Sequence, residues 1–458
     1  MKHARHERAW IARGLRVLAL CTVLALITAA CGSSRKSEST NNTTNGTGAS
    51  GSSGGIDTSS CPAGGETTGV KGNVITLGTS LPQSGTYAAF SAILKGEQAY
   101  FKYQNAAGGV TVGGQKYTIN LVDKDDAYDA ARTITNVNSL IDDSKVFGLF
   151  NVVGTKNNLG VRDTVSTDCV PNMLIASGAV QWGNPKYPWM IGSELVPYPL
   201  EVQTFVNYLK QKKPNATIAV LKQNDDFGQS YLDTLKAVIK GTQMRIVQVQ
   251  GYDPETSDPK TQVTSLAQTK ADAFLLAAAL LNCPNGLLAA AAAGWHPITY
   301  MSGTCVSKVL FSLAGPSANG VLSVTPLLDP ADPANASNAA MQTYKQQVKK
   351  YAAGADVTDG IVAYGWTTAA LMVKTLELSS KVDRVTVMNT LHALPGVKDV
   401  GLQIPAATWT TGPNDPFIGE TFQMIQYNSS EGHTTPVGSL IDDNGKTASL
   451  SPQDLLNS

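Results

Sequence analysis

From about Ile75 onward the chain alternates apolar runs of strand length with segments of helical period. No other feature constrains the fold as much. "NVITLGTSL" reads as a strand and "GTYAAFSAILKGEQAYFKYQNA" as a helix. "YTINLVD" and "AARTITNVNSLID" repeat the pair, followed by "KVFGLFNVV" and "NNLGVRDTVS", then the strand "PNMLIAS". The series restarts with the helix "PLEVQTFVNYLKQ". Strand and helix then alternate through "TIAVLKQ", "YLDTLKAVIK", "QMRIVQVQGY", "QVTSLAQTK", "ADAFLLAAAL", "GLLAAAAAG" and "ITYMSG". Strands separated by helices close into right-handed βαβ units around a parallel sheet. Two such series in 458 residues fit two α/β lobes, each with its own core. The stretch 271–294 is apolar enough for a membrane span. Asn282, Pro284, Asn285 and Gly286 interrupt it, so it reads as a buried strand followed by a helix.

Open α/β sheets hold ligands beyond the carboxyl ends of their strands. Those ends here are "LPQSG", "NVVGT", "IASGA", "KQNDDF", "ALLNC" and "SGTC", which carry hydrogen-bonding and aromatic side chains. In "LFNVVGTKNN" an apolar strand stops at Gly154-Thr155 and a helix begins. Such a turn is a natural cradle for a polar or anionic group. Catalytic constellations are missing. Beyond residue 30 the histidines are His296, His392 and His433, widely separated, and there is no P-loop or HExxH motif and no GxSxG elbow between a strand and a helix. The acidic cluster Asp123, Asp125, Asp126 and Asp129 lacks the glycine and distal glutamate of a calcium loop. It reads as a strand end followed by an Asp N-cap, and "QNDDFG" repeats the theme. These residues point to a binding protein, not an enzyme, with no cofactor and no metal.

The N-terminus reads as an export signal. "MKHARHERAWIARGLR" is basic, and the 14 residues "VLALCTVLALITAA" are too few for a span of about 20. Thr28-Ala29-Ala30-Cys31 resembles a bacterial lipobox, with Thr28 where Leu is usual, so Cys31 is the expected lipidation site. The Gly/Ser/Thr-rich segment 31–72 reads as a disordered tether. It contains "GTGASG", a formal dinucleotide fingerprint with no strand before it and no helix after it. The chain has 35 basic and 35 acidic residues; without residues 1–30 it keeps 30 and 34, which gives no support for nucleic-acid binding. The expected location is outside the cytoplasm, at the cell membrane, through a lipid anchor only.

With Cys21 removed and Cys31 lipidated, four cysteines remain: Cys61, Cys169, Cys283 and Cys305. An even number outside the cytoplasm suggests disulfides, and spacing alone allows three pairings. Cys283 and Cys305 each follow a strand-like run, while Cys61 and Cys169 each precede a strand. This favours 61–169 with 283–305. No CxxC spacing suggests zinc.

The ordered set "SLPQSGTYA", "NAAGGVTVGGQKYTINLVDKDD", "FNVVGTKNN", "VPNMLIASGA" and "TIAVLKQNDDFGQSYLDTLK" resembles the type I periplasmic binding proteins of the leucine/isoleucine/valine class, from about residue 74 to 440. These are the substrate-binding components of ABC importers. The resemblance implies two Rossmann-like lobes joined by three hinge crossings, near Gly192–Leu195, Val321–Thr325 and Val400–Ile404. The N-terminal lobe would be 73–193 plus 324–400, and the C-terminal lobe 194–323 plus 401–452. It further implies a monomer that delivers a small-molecule ligand to permease and ATPase subunits.

In the branched-chain amino-acid binders, hydroxyl residues after the third and fourth strands hold the carboxylate and amino group. An aromatic from the second lobe covers the ligand, and an acid there pairs with the ammonium. The aligned positions here are Val152, about Val180, Phe227 and Thr304; a second tyrosine falls near Ala279 or Leu280. A buried ammonium without a carboxylate is costly. The expected ligand is therefore a hydrophobic or aromatic carboxylate, held at Val153-Gly154-Thr155. Gln83, Ser177, Gly178 and Thr304 would stand beside it, and Tyr87, Phe90, Trp182, Phe227 and Trp366 would line an apolar pocket. A branched-chain amino-acid binder and a ligand sensor on the same fold are the alternatives.

Overall fold

A computed structural model describes residues 55–255 and 258–451. The export signal, Cys31 and most of the expected tether lie outside these residues. In chain order the first elements are β1 (Val70–Lys71), β2 (Val74–Leu81), α1 (Ser91–Ala106), β3 (Val110–Val112) and β4 (Gln115–Asp125). Next come α2 (Ala130–Asp142), β5 (Gly148–Phe150), α3 (Thr155–Thr167), β6 (Asn172–Ile175) and β7 (Met190–Gly192). These strands form one sheet in the order β3-β4-β2-β5-β6-β7, with β1 added to β2. Its central pairs β2–β4, β2–β5, β5–β6 and β6–β7 are parallel, as βαβ connections require.

The second series is α4 (Tyr198–Lys212), β8 (Thr217–Gln223), α5 (Asp226–Val238), β9 (Arg245–Tyr252), α6 (Lys260–Ala267), β10 (Ala273–Ala277), α7 (Asn282–Ala292), β11 (Ile298–Met301), α8 (Lys308–Ala314) and β12 (Leu322–Thr325). Helices α9 (Ala339–Tyr351), α10 (Gly360–Leu378) and α11 (Arg384–Leu391) follow. The chain ends in β13 (Pro395–Val397), β14 (Trp409–Thr410), β15 (Thr421–Asn428), β16 (His433–Pro436), β17 (Ile441–Asp442) and α12 (Thr447–Leu450). The second sheet runs β16-β15-β12-β11-β10-β8-β9, with β17 paired to β15. β8 to β12 pair in parallel, and β15 returns antiparallel to β12. The two-sheet α/β architecture expected from the sequence is the one observed. The run 271–294 is the buried strand β10 followed by α7, and no described helix is long and apolar enough to cross a membrane.

The chain leaves the first sheet at Gly192 and enters α4 through 193–197. It leaves the second sheet at Thr325, forms α9 to α11, and re-enters that sheet at Thr421. Two connecting segments lie side by side: Leu327 bridges Gln403, and Leu328 N–H donates to Leu402 O at 2.8 Å. Helix α10 is buried along nearly its whole length against α1. The contact is backbone to backbone. A Cβ on Gly96 would lie 2.2 Å from Val362 O, and one on Gly365 would lie 2.0 Å from Ile93 O.

Three details differ from the sequence reading. The strand expected over 145–153 is regular only for Gly148–Phe150, because Asn151 adopts φ 52° and Val153 makes a lone bridge to Ala176. The tether expected to reach residue 72 is held to the body from residue 56. Ile56 N–H donates to Asn389 Oδ1, Arg384 N–H donates to Glu66 O, and Val70–Lys71 pairs with β2. The short strands β3, β7, β13, β14, β16 and β17 carry too little pattern to announce themselves, and the eight-residue β15 was not among the strands read. Cys61 is bonded to Cys169 and Cys283 to Cys305, the favoured pairing.

Candidate functional site

The carboxyl ends of the two sheets face each other, and the space between them is divided. The outer part is filled by the protein's own side chains. Tyr87, in the loop after β2, stacks on Tyr128 with ring centroids 4.2 Å apart. Its hydroxyl donates to Gln223 Oε1 at the end of β8, 2.5 Å away. The same oxygen accepts from Tyr252 Oη at 3.0 Å, and Gln223 Nε2 donates to Asp225 Oδ2. Thr86 Oγ1 reaches Glu255 O at 3.3 Å, and Lys156 pairs with Glu255 at 4.0 Å. Loops from the first sheet are thus bonded directly to strand ends of the second.

The inner part, against the connecting segments, is a cavity of about 110 Å³. That is room for several waters or one small apolar body. Its walls are mostly apolar: Phe90, Ile93, Val153, Val196, Val306, Phe311, Leu327 and Ile361 are among them. Polar groups also reach it, Asp329, His433 and Thr434 among them. Glu201 comes from the first turn of α4, Thr304 from the loop after β11, Lys308 from α8 and Tyr364 from α10.

Glu201 is 2% exposed. Its Oε2 accepts from Tyr300 Oη and from Gly303 N–H, each at 2.9 Å. Among the described residues no Lys, Arg or His forms an ion pair with it. Burial therefore pushes its carboxyl up to about 7, against the pull of the hydrogen bonds from Gly303, Tyr231 and Tyr300. Tyr198, on the same turn, is pushed up to about 12 by burial.

The expected site residues divide between these two regions and the core. Phe90, Val153 and Thr304 line the cavity. Tyr87 belongs to the outer network. Phe227 packs between Tyr198 and Tyr231, with centroids 5.2 and 5.4 Å away. Part of the Val153-Gly154-Thr155 cradle is already occupied. Val153 N–H donates to Ser80 O, Gly154 N–H donates to Ala176 O, and the Thr155 hydroxyl is bonded to Ser177 Oγ at 2.8 Å. Gly178 lies beneath Tyr198, whose N–H donates to its carbonyl. Trp182 is buried, with Nε1 donating to Ser177 O, and Trp366 packs against Tyr100, Tyr103 and Tyr344 in the α1/α9/α10 core. Gln83 is tied to Asp125 and Asp123 at the end of β4. The acidic clusters serve as read: Asp129 caps α2 and Asp225 caps α5.

Glu201, Lys308 and Tyr364 were not among the expected residues. Glu201 stands in the helical run "PLEVQTFVNYLKQ", where nothing local marks it apart from a first-turn acid at a helix N-terminus.

No curated protein matches the sequence. Among solved structures, a branched-chain amino acid ABC transporter protein from Thermus thermophilus with bound valine is 17% identical. It covers 81% of this chain and 97% of its own, with a TM-score of 0.72. A fatty acid ABC transporter substrate-binding protein from Thermomonospora curvata is 20% identical, covering 84% and 96%, with a TM-score of 0.70. A solute-binding protein from R. palustris in complex with benzoate is 16% identical, covering 81% and 99%, with a TM-score of 0.64. At these identities the likeness is one of fold. A family model described as periplasmic binding protein matches residues 74–431. With that match over most of the chain, and two α/β sheets meeting around a central cavity, the chain belongs to the type I periplasmic binding proteins.

Proposed function

We propose that this protein is the solute-binding lipoprotein of an ABC importer. It captures a small hydrophobic or aromatic carboxylate between its lobes and delivers it to a membrane permease, anchored through Cys31. The observation that carries this reading is the cavity itself, apolar on most of its wall with a few convergent polar groups. Lys308 takes over the role first given to the Gly154-Thr155 cradle. It lines the cavity and has no ion-pair partner among the described residues, so it is available to a carboxylate. A protein with bound valine, a fatty acid transporter protein and a protein in complex with benzoate share the frame, which suits an apolar solute with one polar end.

The alternative is a branched-chain amino-acid binder. Glu201 favours it, because α4 brings a carboxylate beside Gly303 and Thr304, where the sequence pattern lacked one. Thermal unfolding against a solute panel separates the two. A solute that binds only the folded state raises the midpoint with its concentration over Kd. Benzoate-type and branched acids should shift it and sugars should not. A large shift with leucine or valine, and none with the deaminated acids, would replace the first reading with the second.

A further inference from the structure

Glu201 bears on how the solute is held. The hydrogen bonds from Tyr300 and Gly303 both fall on Oε2, Tyr231 is a further donor to the carboxyl, and Glu201 is one of the residues that line the cavity. The groups packed around the carboxyl are neutral at ordinary pH. Tyr198 lies on its own helix, Tyr231 on α5 shares its hydroxyl with Ser302 at 2.8 Å, Tyr300 lies on β11, and Gly303 supplies a backbone N–H. Thr304 is bonded to Ser302 Oγ at 2.9 Å, and Tyr364 on α10 donates to Ser193. Lys308 is the one lysine or arginine on the lining; His433, also on it, lies near Asp332 and Glu431. Asp329, also on the lining, accepts from Thr434 N–H and Oγ1.

A buried acid without a cation holds its proton readily. Because Oε2 already accepts two donors, a proton on the carboxyl is better placed on Oε1. A carboxylate is the complementary acceptor. Two carboxyl groups brought together in a desolvated site cannot both stay ionised and share one proton.

Resting on the carboxylate reading above, we propose that Glu201 is a specificity-determining contact and that a carboxylate solute binds together with one proton, shared between its carboxyl group and Glu201 Oε1. Solvent supplies the proton. The pair keeps one negative charge, which Lys308 offsets. Bond making is confined to this hydrogen bond, and no group is transferred.

The test is calorimetric titration of the full chain with 4-methylpentanoate and with benzoate. The matched alkylamine and amide serve as controls, each in two buffers of different ionisation heat. The expected result is uptake of about one proton per carboxylate above pH ~7, with affinity falling about tenfold per pH unit beyond that point. Glu201→Gln keeps a donor on the cavity side, so it should still bind the carboxylates, with proton uptake and pH slope both lost. Carboxylate binding with no proton uptake in the native protein would overturn the proposal and leave the carboxylate reading standing. So would an unchanged slope in the variant. Binding of the amine alone, with proton release, or of no carboxylate at all would overturn both. If Glu201→Gln does not fold, the proton count of the native protein in the two buffers decides by itself.

Discussion

Tyr87 Oη lies 2.5 Å from Gln223 Oε1 and joins the loop after β2 to the end of β8 across the cleft. The bond is buried and backed on both sides. Tyr128 stacks under Tyr87, and Tyr252 donates to the same Gln223 oxygen. The outer cleft is thus closed by a hydrogen-bonded aromatic pair that is part of the chain.

Tyr87→Phe keeps the stack and removes the bond. A net hydrogen bond of this kind contributes about 1 kcal/mol. Because it ties one sheet's loops to the other's strand ends, its loss should weaken solute affinity about fivefold. Tyr128→Phe should have a smaller effect, since Gln223 Nε2 meets that hydroxyl at 3.4 Å. Titration calorimetry on both variants, with urea unfolding as a control for global stability, separates closure from folding. Equal affinity in Tyr87→Phe and the native protein would show that the bond does not hold the cleft closed.

Stability should fall as pH rises from acid to neutral. Burial pushes the carboxyls of Glu194 and Glu201 up to about 7, and that of Glu97 upward from its ordinary value. Between about pH 4.5 and pH 7 the native state holds protons that the unfolded chain has released, so this stability is present at low pH and lost on going up. The effect is on the order of 3 kcal/mol for each of Glu194 and Glu201. Among the described residues neither carboxyl oxygen of Glu97 has a hydrogen-bond partner. Glu97→Gln should therefore raise stability at pH ~8 far more than at pH ~5. Urea titrations at the two pH values check both statements.

The crossing of α1 and α10 should tolerate no side chain. A methyl group on Gly365 would overlap Ile93 O and one on Gly96 would overlap Val362 O, both backbone atoms that cannot rotate away. Either alanine substitution should cost about 3 kcal/mol or more. Gly241→Ala, in open space but at φ 79°, should cost less, and only through backbone strain. Comparable urea midpoints for Gly365→Ala and Gly241→Ala would contradict the close approach.

The disulfides should contribute unequally. Cys61–Cys169 spans 108 residues and Cys283–Cys305 spans 22. Loop-closure entropy then assigns about 5 kcal/mol to the first and about 3 kcal/mol to the second. Paired Cys→Ser variants, unfolded in urea under oxidising conditions, should rank in that order.

The rhythm of strands and helices was legible because each βαβ unit carries its own hydrophobic period. α2 (Ala130–Asp142) and β8 (Thr217–Gln223) fall on the residues read from the sequence. The site was legible only in part. Val153 and Thr304 lie on the cavity, as their places near strand ends suggested, and so does the aromatic Phe90. The Val153, Gly154 and Thr155 groups looked free because their partners, Ser80 O, Ala176 O and Ser177 Oγ, lie elsewhere in the chain. Glu201 was missed for the complementary reason. Its partners Tyr300 and Gly303 are about a hundred residues further along the chain, and only the packing of α4 on β11 brings them within reach. Trp182 and Trp366 have the composition of a binding surface, but their rings are buried in packing that no local pattern reveals.

The glycine crossing has a mechanical consequence. Helix α10 has 19 residues and so runs about 28 Å. Ile361 and Tyr364, near one end, form part of the cavity wall, and Leu378, at the other end, is exposed at the surface. With Gly365 locked against Ile93, α10 has no slack to bend or slide where it meets α1. A solute pressing on Tyr364 therefore meets a helix braced against α1, so this side of the cavity wall is stiff and the solute must fit it as it stands.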